Sequence, residues 1–129
     1  MDAEYLAERA LAARANAFAP FSKFKVGAAL ETASGKIYTG CNVENATYGL
    51  TVCAERVALW KAISEGERKF TRLAVATSSP HPAPPCGACR QLLWEFCGDL
   101  EIVLVSAEGR RETRSLASLF PEPFDRTFL

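Results

Sequence analysis

The chain has 129 residues, 49% of them hydrophobic, and balances 15 Lys and Arg against 15 Asp and Glu. That length and apolar content fit one compact domain spanning 1–129. Zero net charge lacks the basic excess of proteins that grip phosphate backbones, so a small uncharged ligand is expected rather than nucleic acid; it also removes self-repulsion between identical chains.

The N-terminal stretch "MDAEYLAERALAARANAF" carries acids early and lacks the basic start and apolar middle of a secretory signal. No apolar run reaches the ~18 residues of a membrane span. The expected location is cytoplasmic, where five cysteines are better suited to metal, catalysis or packing than to disulfides.

In chain order, Ala and Leu at helical spacing (Leu6, Ala10, Ala13, Ala17) predict a helix over 3–17, ended by Pro20. "FKVGAALETASGKIYTGCNV" predicts a hairpin that turns at Gly35. Thr51 is placed to cap a helix running to about Glu65, with Gly66 beyond its end. "RLAVATS" reads as a buried strand, and four prolines exclude regular structure from "SPHPAPP". A third helix is expected from near Cys86 to about Phe96, then a buried strand in "LEIVLVS" and a short helix in "SLASLF". Apolar strands alternating with helices predict an α/β fold, a three-layer α/β/α sandwich around a central mixed sheet.

The chemistry concentrates in three cysteines. Cys53 lies in "LTVCAER", while Cys86 and Cys89 lie in "PPCGACRQ". Both stretches sit where the chain turns into a helix, and Cys86 and Cys89 share one face of a first helical turn. Helix N-termini favour thiolates, the form that binds metal, and three thiolates suit zinc. A redox C-x-x-C would follow a strand early in its fold, whereas this one follows a proline-rich loop. A structural zinc knot needs a fourth ligand, and Cys41, Cys97 and His81 are all poorly spaced for it. Three protein ligands and one open position make a catalytic arrangement, and Glu55, two residues after Cys53, is placed to take a proton there.

The pattern C-A-E … P-C-x-x-C resembles the zinc nucleoside deaminase signature with Cys in place of its usual His. "FKVGAAL", "GCNVENATYGLTVCAER" and "PPCGACRQLL" resemble the small homotetrameric cytidine deaminases, from about Phe18 to Phe124. The resemblance implies one zinc per chain on Cys53, Cys86 and Cys89, and hydrolytic deamination of cytidine and 2′-deoxycytidine with Glu55 as proton shuttle. It implies that Arg56 withdraws charge from the thiolates, which would otherwise make water on the metal harder to ionise. Asn42 and Glu44 are then expected on the ribose 3′-hydroxyl, Phe24 against the pyrimidine, and Ala54 in the substrate site. Tyr48 is expected at a subunit contact and Phe124 over a neighbouring chain's pocket in a homotetramer. Phe21 stands where many members carry Tyr, and "DRTFL" has no counterpart. Other readings are a deaminase of a cytosine-containing antibiotic such as blasticidin, and a structural zinc protein that binds a partner.

Overall fold

The computed structural model describes residues 2–129. Five strands, β1 (Val26–Thr32), β2 (Ile37–Cys41), β3 (Phe70–Thr77), β4 (Glu101–Val105) and β5 (Arg111–Ser115), form one sheet in the order β2-β1-β3-β4-β5. Only the β3–β4 pair is parallel. Four helices pack around it: α1 (Ala3–Arg14), α2 (Ala54–Ser64), α3 (Gly87–Cys97) and α4 (Leu116–Leu119). No helix among the described residues is long and apolar enough to cross a membrane.

Strand alternation divides the core into two layers. Leu30, Leu73, Val75, Ile102 and Leu104 face Ala58, Leu59 and Leu93 of α2 and α3. Ala29, Ala74, Ala76, Val103 and Val105 face Leu6, Ala7 and Ala10 of α1. The central strands are therefore apolar on both faces, as a sheet covered twice must be. Alanine dominates the α1 side, so that helix lies close to the sheet. The expected α/β/α sandwich is what forms.

Three local readings need correction. Helix α1 stops at Arg14 rather than 17, where the Arg14 guanidinium bonds the Thr77 carbonyl at 2.6 Å and fixes the helix end against β3. Thr51 does not cap α2: Cys53 does, and the Thr51 hydroxyl instead accepts the Asn45 N–H at 3.0 Å. Strand β5, "RETRS", was not expected, because it has no apolar residue. It is an edge strand held by its ladder to β4, and its charges guard the open edge.

Gly40 of β2 has a positional task. A Cβ there would stand 2.6 Å from the Ala54 carbonyl oxygen and 2.7 Å from the Ala58 nitrogen. The obstacle is backbone of the first turns of α2, which cannot step aside as a side chain could. Gly40→Ala should therefore destabilise the chain by about 1–3 kcal/mol, the range for overpacking. Gly49→Ala, with nothing within 4 Å, should stay within about 0.5 kcal/mol. Urea denaturation of the two variants checks the contrast.

Candidate active site

Helices α2 and α3 lie on the same face of the sheet, and their N-termini meet. Cys53 is the N-cap of α2 and Cys86 the N-cap of α3, each with extended backbone and no capping hydrogen bond from its side chain. Cys89 follows in the first turn of α3. The three sulfurs lie within 4.8 Å of one another, the only such ligand cluster among the described residues. Cys89 is buried, Cys53 half-buried and Cys86 exposed.

Cys53 ionises easily and its hydrogen-bonded neighbour Cys89 does not. The Cys53 thiol is lowered to about 6, first by a hydrogen bond from Cys89 and then, against the cost of burial, by the charge of Arg56. The same hydrogen bond, with burial, pushes Cys89 upward. Two thiolates no more than 4.8 Å apart repel by at least roughly 3 kcal/mol at an effective dielectric of about 20. A soft dication removes that repulsion, so the donor set fits zinc. Arg56 is held firmly charged, chiefly by its hydrogen bond to Cys89. Its Nε is buried without a hydrogen-bond partner, a cost that its placement beside the sulfurs offsets.

Glu55, in the first turn of α2, is 5% exposed and forms no ion pair among the described residues. Burial pushes its carboxyl up to about 7, and the nearby Cys53 charge adds to this; its own N–H and Arg56 oppose. A carboxyl poised near neutrality can both take and give a proton.

A cavity of ≈ 270 Å³ opens in front of these groups, lined by Cys53, Ala54, Glu55 and Cys86 on one side and Phe24, Val26 and Asn42 on another. Both amide ends of Asn42 hold the wall in place: Oδ1 accepts from Val26 N–H at 2.8 Å and Nδ2 donates to the Phe24 carbonyl at 2.7 Å. Of the expected substrate residues, Phe24, Asn42 and Ala54 therefore share the cavity with Glu55.

Glu44 and Tyr48 line an adjoining hollow with Phe21, Ser22 and Thr51, and Thr51 borders both spaces. The Glu44 carboxylate accepts from Phe21 N–H at 2.9 Å, Ser22 N–H at 3.1 Å and the Ser22 hydroxyl, and the hydroxyl bond is the main cause of its lowered pKa. Phe124 lines neither space. It is 60% exposed and stacks on Phe128 at 5.5 Å. Its carbonyl accepts from Gln91 of α3 at 2.8 Å, and Asp125 accepts from Trp94 at 2.9 Å.

Residues absent from the sequence reading complete the cavity. Val26 and Thr77 face each other across the β1–β3 ladder and both line it. Ala83 and Pro84 close it from the proline loop. Alternation along β1 and β3 carries a trace of the first pair, whereas nothing in "SPHPAPP" says which way that loop folds.

Residues 1–106 match the family model described as the cytidine and deoxycytidylate deaminase zinc-binding region. A cytidine deaminase from Sporosarcina psychrophila is 46% identical over 127 residues, covering 98% of this chain and 93% of the relative. The crystal structure of a cytidine deaminase from Burkholderia pseudomallei superposes with a TM-score of 0.91 at 48% identity, over 96% of this chain and 100% of that one. A blasticidin-S deaminase from Bacillus cereus is more distant, 31% identical over 114 residues, 81% of this chain and 80% of the relative. The thiol cluster, the buried carboxyl beside it and this full-length likeness agree: the chain belongs to the cytidine and deoxycytidylate deaminase family, with that family's zinc-binding region.

Proposed function

We propose that the protein hydrolyses cytidine and 2′-deoxycytidine to uridine and 2′-deoxyuridine with release of ammonia, and that it serves pyrimidine salvage in the cytoplasm. The observation that carries this reading is one buried carboxyl, Glu55, beside a cluster of three thiols, with Glu55, Cys53 and Cys86 lining a small cavity. A zinc ion held by Cys53, Cys86 and Cys89 would supply Lewis acidity toward water. Glu55 accepts a proton from the attacking water as its oxygen bonds to C4 of the base, and delivers a proton to N3. It then carries the proton of the new C4 hydroxyl to the C4 amino group; the C4–N bond breaks, the C4–O bond becomes the carbonyl and ammonia leaves. Arg56 holds the thiolates from behind. Phe24 offers a ring face to the pyrimidine, with Ala54 beside it.

The sugar belongs where the cavity meets the adjoining hollow. Asn42 keeps one N–H and acceptor capacity after its two backbone bonds, and Glu44 keeps acceptor capacity after its three. They can therefore hold the 3′-hydroxyl without releasing the loop. The relatives support cytidine over blasticidin, at 46% against 31% identity. A closed structural zinc site lacks support, since no fourth ligand atom joins the cluster among the described residues.

A homotetramer accounts for the apolar surface at Phe18, Phe21, Tyr48, Leu50, Phe124 and Phe128, all more than half exposed. In that assembly Tyr48 lies at a subunit contact and Phe124 caps a neighbour's cavity.

Glu55→Gln keeps the shape but ends proton transfer. Zinc should remain while turnover of cytidine falls by ~10²–10⁴; near-normal ammonia release would remove Glu55 from the reaction.

Alanine at Cys53, Cys86 or Cys89 should strip zinc and activity. Alanine at Cys41 or Cys97 should leave both, since burial alone pushes the Cys97 thiol up to about 12 and makes it a poor ligand. Metal analysis of the five purified variants decides.

Phe124→Ala leaves the Gln91 and Trp94 contacts intact, because they use the Phe124 carbonyl and the Asp125 carboxylate. KM for cytidine should rise and the tetramer weaken together, with zinc unchanged. An intact tetramer with unaltered kinetics, measured by sedimentation and steady-state assay, would reject the cross-subunit role.

A further inference from the structure

Arg90 follows Cys89 on α3, within the helix's N-terminal end, where the dipole disfavours a cation. Among the described residues it forms no ion pair. Its guanidinium instead spans two backbone carbonyls: Nε donates to Pro85 O at 2.8 Å and Nη1 to Leu119 O at 3.0 Å. The Pro85 side chain is fully buried.

The Pro85 carbonyl shares a rigid peptide plane with the Cys86 nitrogen. Holding that oxygen therefore sets the plane from which the Cys86 side chain departs. Cys86 needs such help more than its fellow ligands, being the exposed one of the three. The other carbonyl, Leu119 O, belongs to the end of α4, just before the tail that continues along α3 through Gln91 and Trp94.

Resting on the reading of Cys86 as a zinc ligand, we propose that Arg90 is a positioning residue for the metal-ligand loop, whose two carbonyl contacts tie the direction of the Cys86 thiol to the seating of the C-terminal segment. The rigid fork suits this task because two donors leave one plane at a fixed angle, which a lysine ammonium cannot reproduce. The role is separate from that of Arg56, which touches the sulfurs themselves.

The test uses zinc-loaded protein and its cobalt-substituted form, comparing Arg90→Met and Arg90→Lys with Arg110→Met, an exposed control that pairs with Glu112. Zinc release to excess chromophoric chelator should be ~10-fold or more faster in both Arg90 variants, the scale on which groups that orient metal ligands act. The control should be unchanged. The thiolate-to-cobalt charge-transfer band should shift in both variants, which mere loosening of the fold does not require. A wild-type release rate overturns the proposal, whatever the melting temperature. So does faster release with an unshifted band, which would make Arg90 a residue of general stability. If Arg90→Met does not fold, Arg90→Lys, which keeps charge and stem, is judged by the same two measurements. Neither readout uses cytidine, so a failure of the deaminase reading would appear separately, as absent turnover by the unaltered zinc-loaded chain.

Discussion

Three sulfurs within 4.8 Å of one another are the constraint to which the rest of the structure answers. As thiols they are an ordinary packed cluster; as thiolates they repel. Two helix N-termini offset part of that charge, and the Arg56 guanidinium offsets more through Cys89. Bringing the helix ends together requires that both helices lie on one face of the sheet. It also requires that β2 approach α2 without a side chain between them, which Gly40 permits. Sheet order, glycine placement and helix capping thus converge on one electrostatic problem, whose remaining part a dication solves.

The same crowding sets up the group proposed to move protons. Glu55 lies in the first turn of the helix that Cys53 caps, so the turn that delivers a thiolate also buries a carboxyl next to it. Burial and that negative neighbour both raise the carboxyl toward neutrality. Glu55 lines the same cavity as Phe24, Asn42 and Ala54, and Glu44 lies in the adjoining hollow across Thr51. Glu44 and Asn42 also do structural work, since between them they bond the backbone of Phe21, Ser22, Phe24 and Val26. Changes at either residue should therefore disturb the backbone around Phe24, besides removing the sugar contact proposed for it.

Much of this was legible in the amino-acid order because it is local or periodic. The apolar runs of β1, β3 and β4, the Gly35 turn, and the spacing of Cys53, Glu55, Cys86 and Cys89 all declare themselves within a few residues. What was hidden depends on distant partners. Strand β5 exists because β4 offers a ladder, and "RETRS" carries no pattern of its own. Helix α1 ends early because Arg14 finds a carbonyl 63 residues away. Thr51 gave up the cap position because Asn45 claims its hydroxyl, leaving Cys53 free to point its sulfur at the cluster. The tail's seating on α3 uses residues about 30 positions apart, and no short motif announces it.

The central claim is that three thiolates of this chain hold one zinc and leave a position open for chemistry. X-ray absorption at the zinc edge of the purified protein tests it most directly. The expected spectrum fits three sulfur neighbours at about 2.3 Å and one lighter neighbour, with one zinc per chain. Four sulfur neighbours, or a protein nitrogen completing the shell, would show a closed structural site and contradict the catalytic reading.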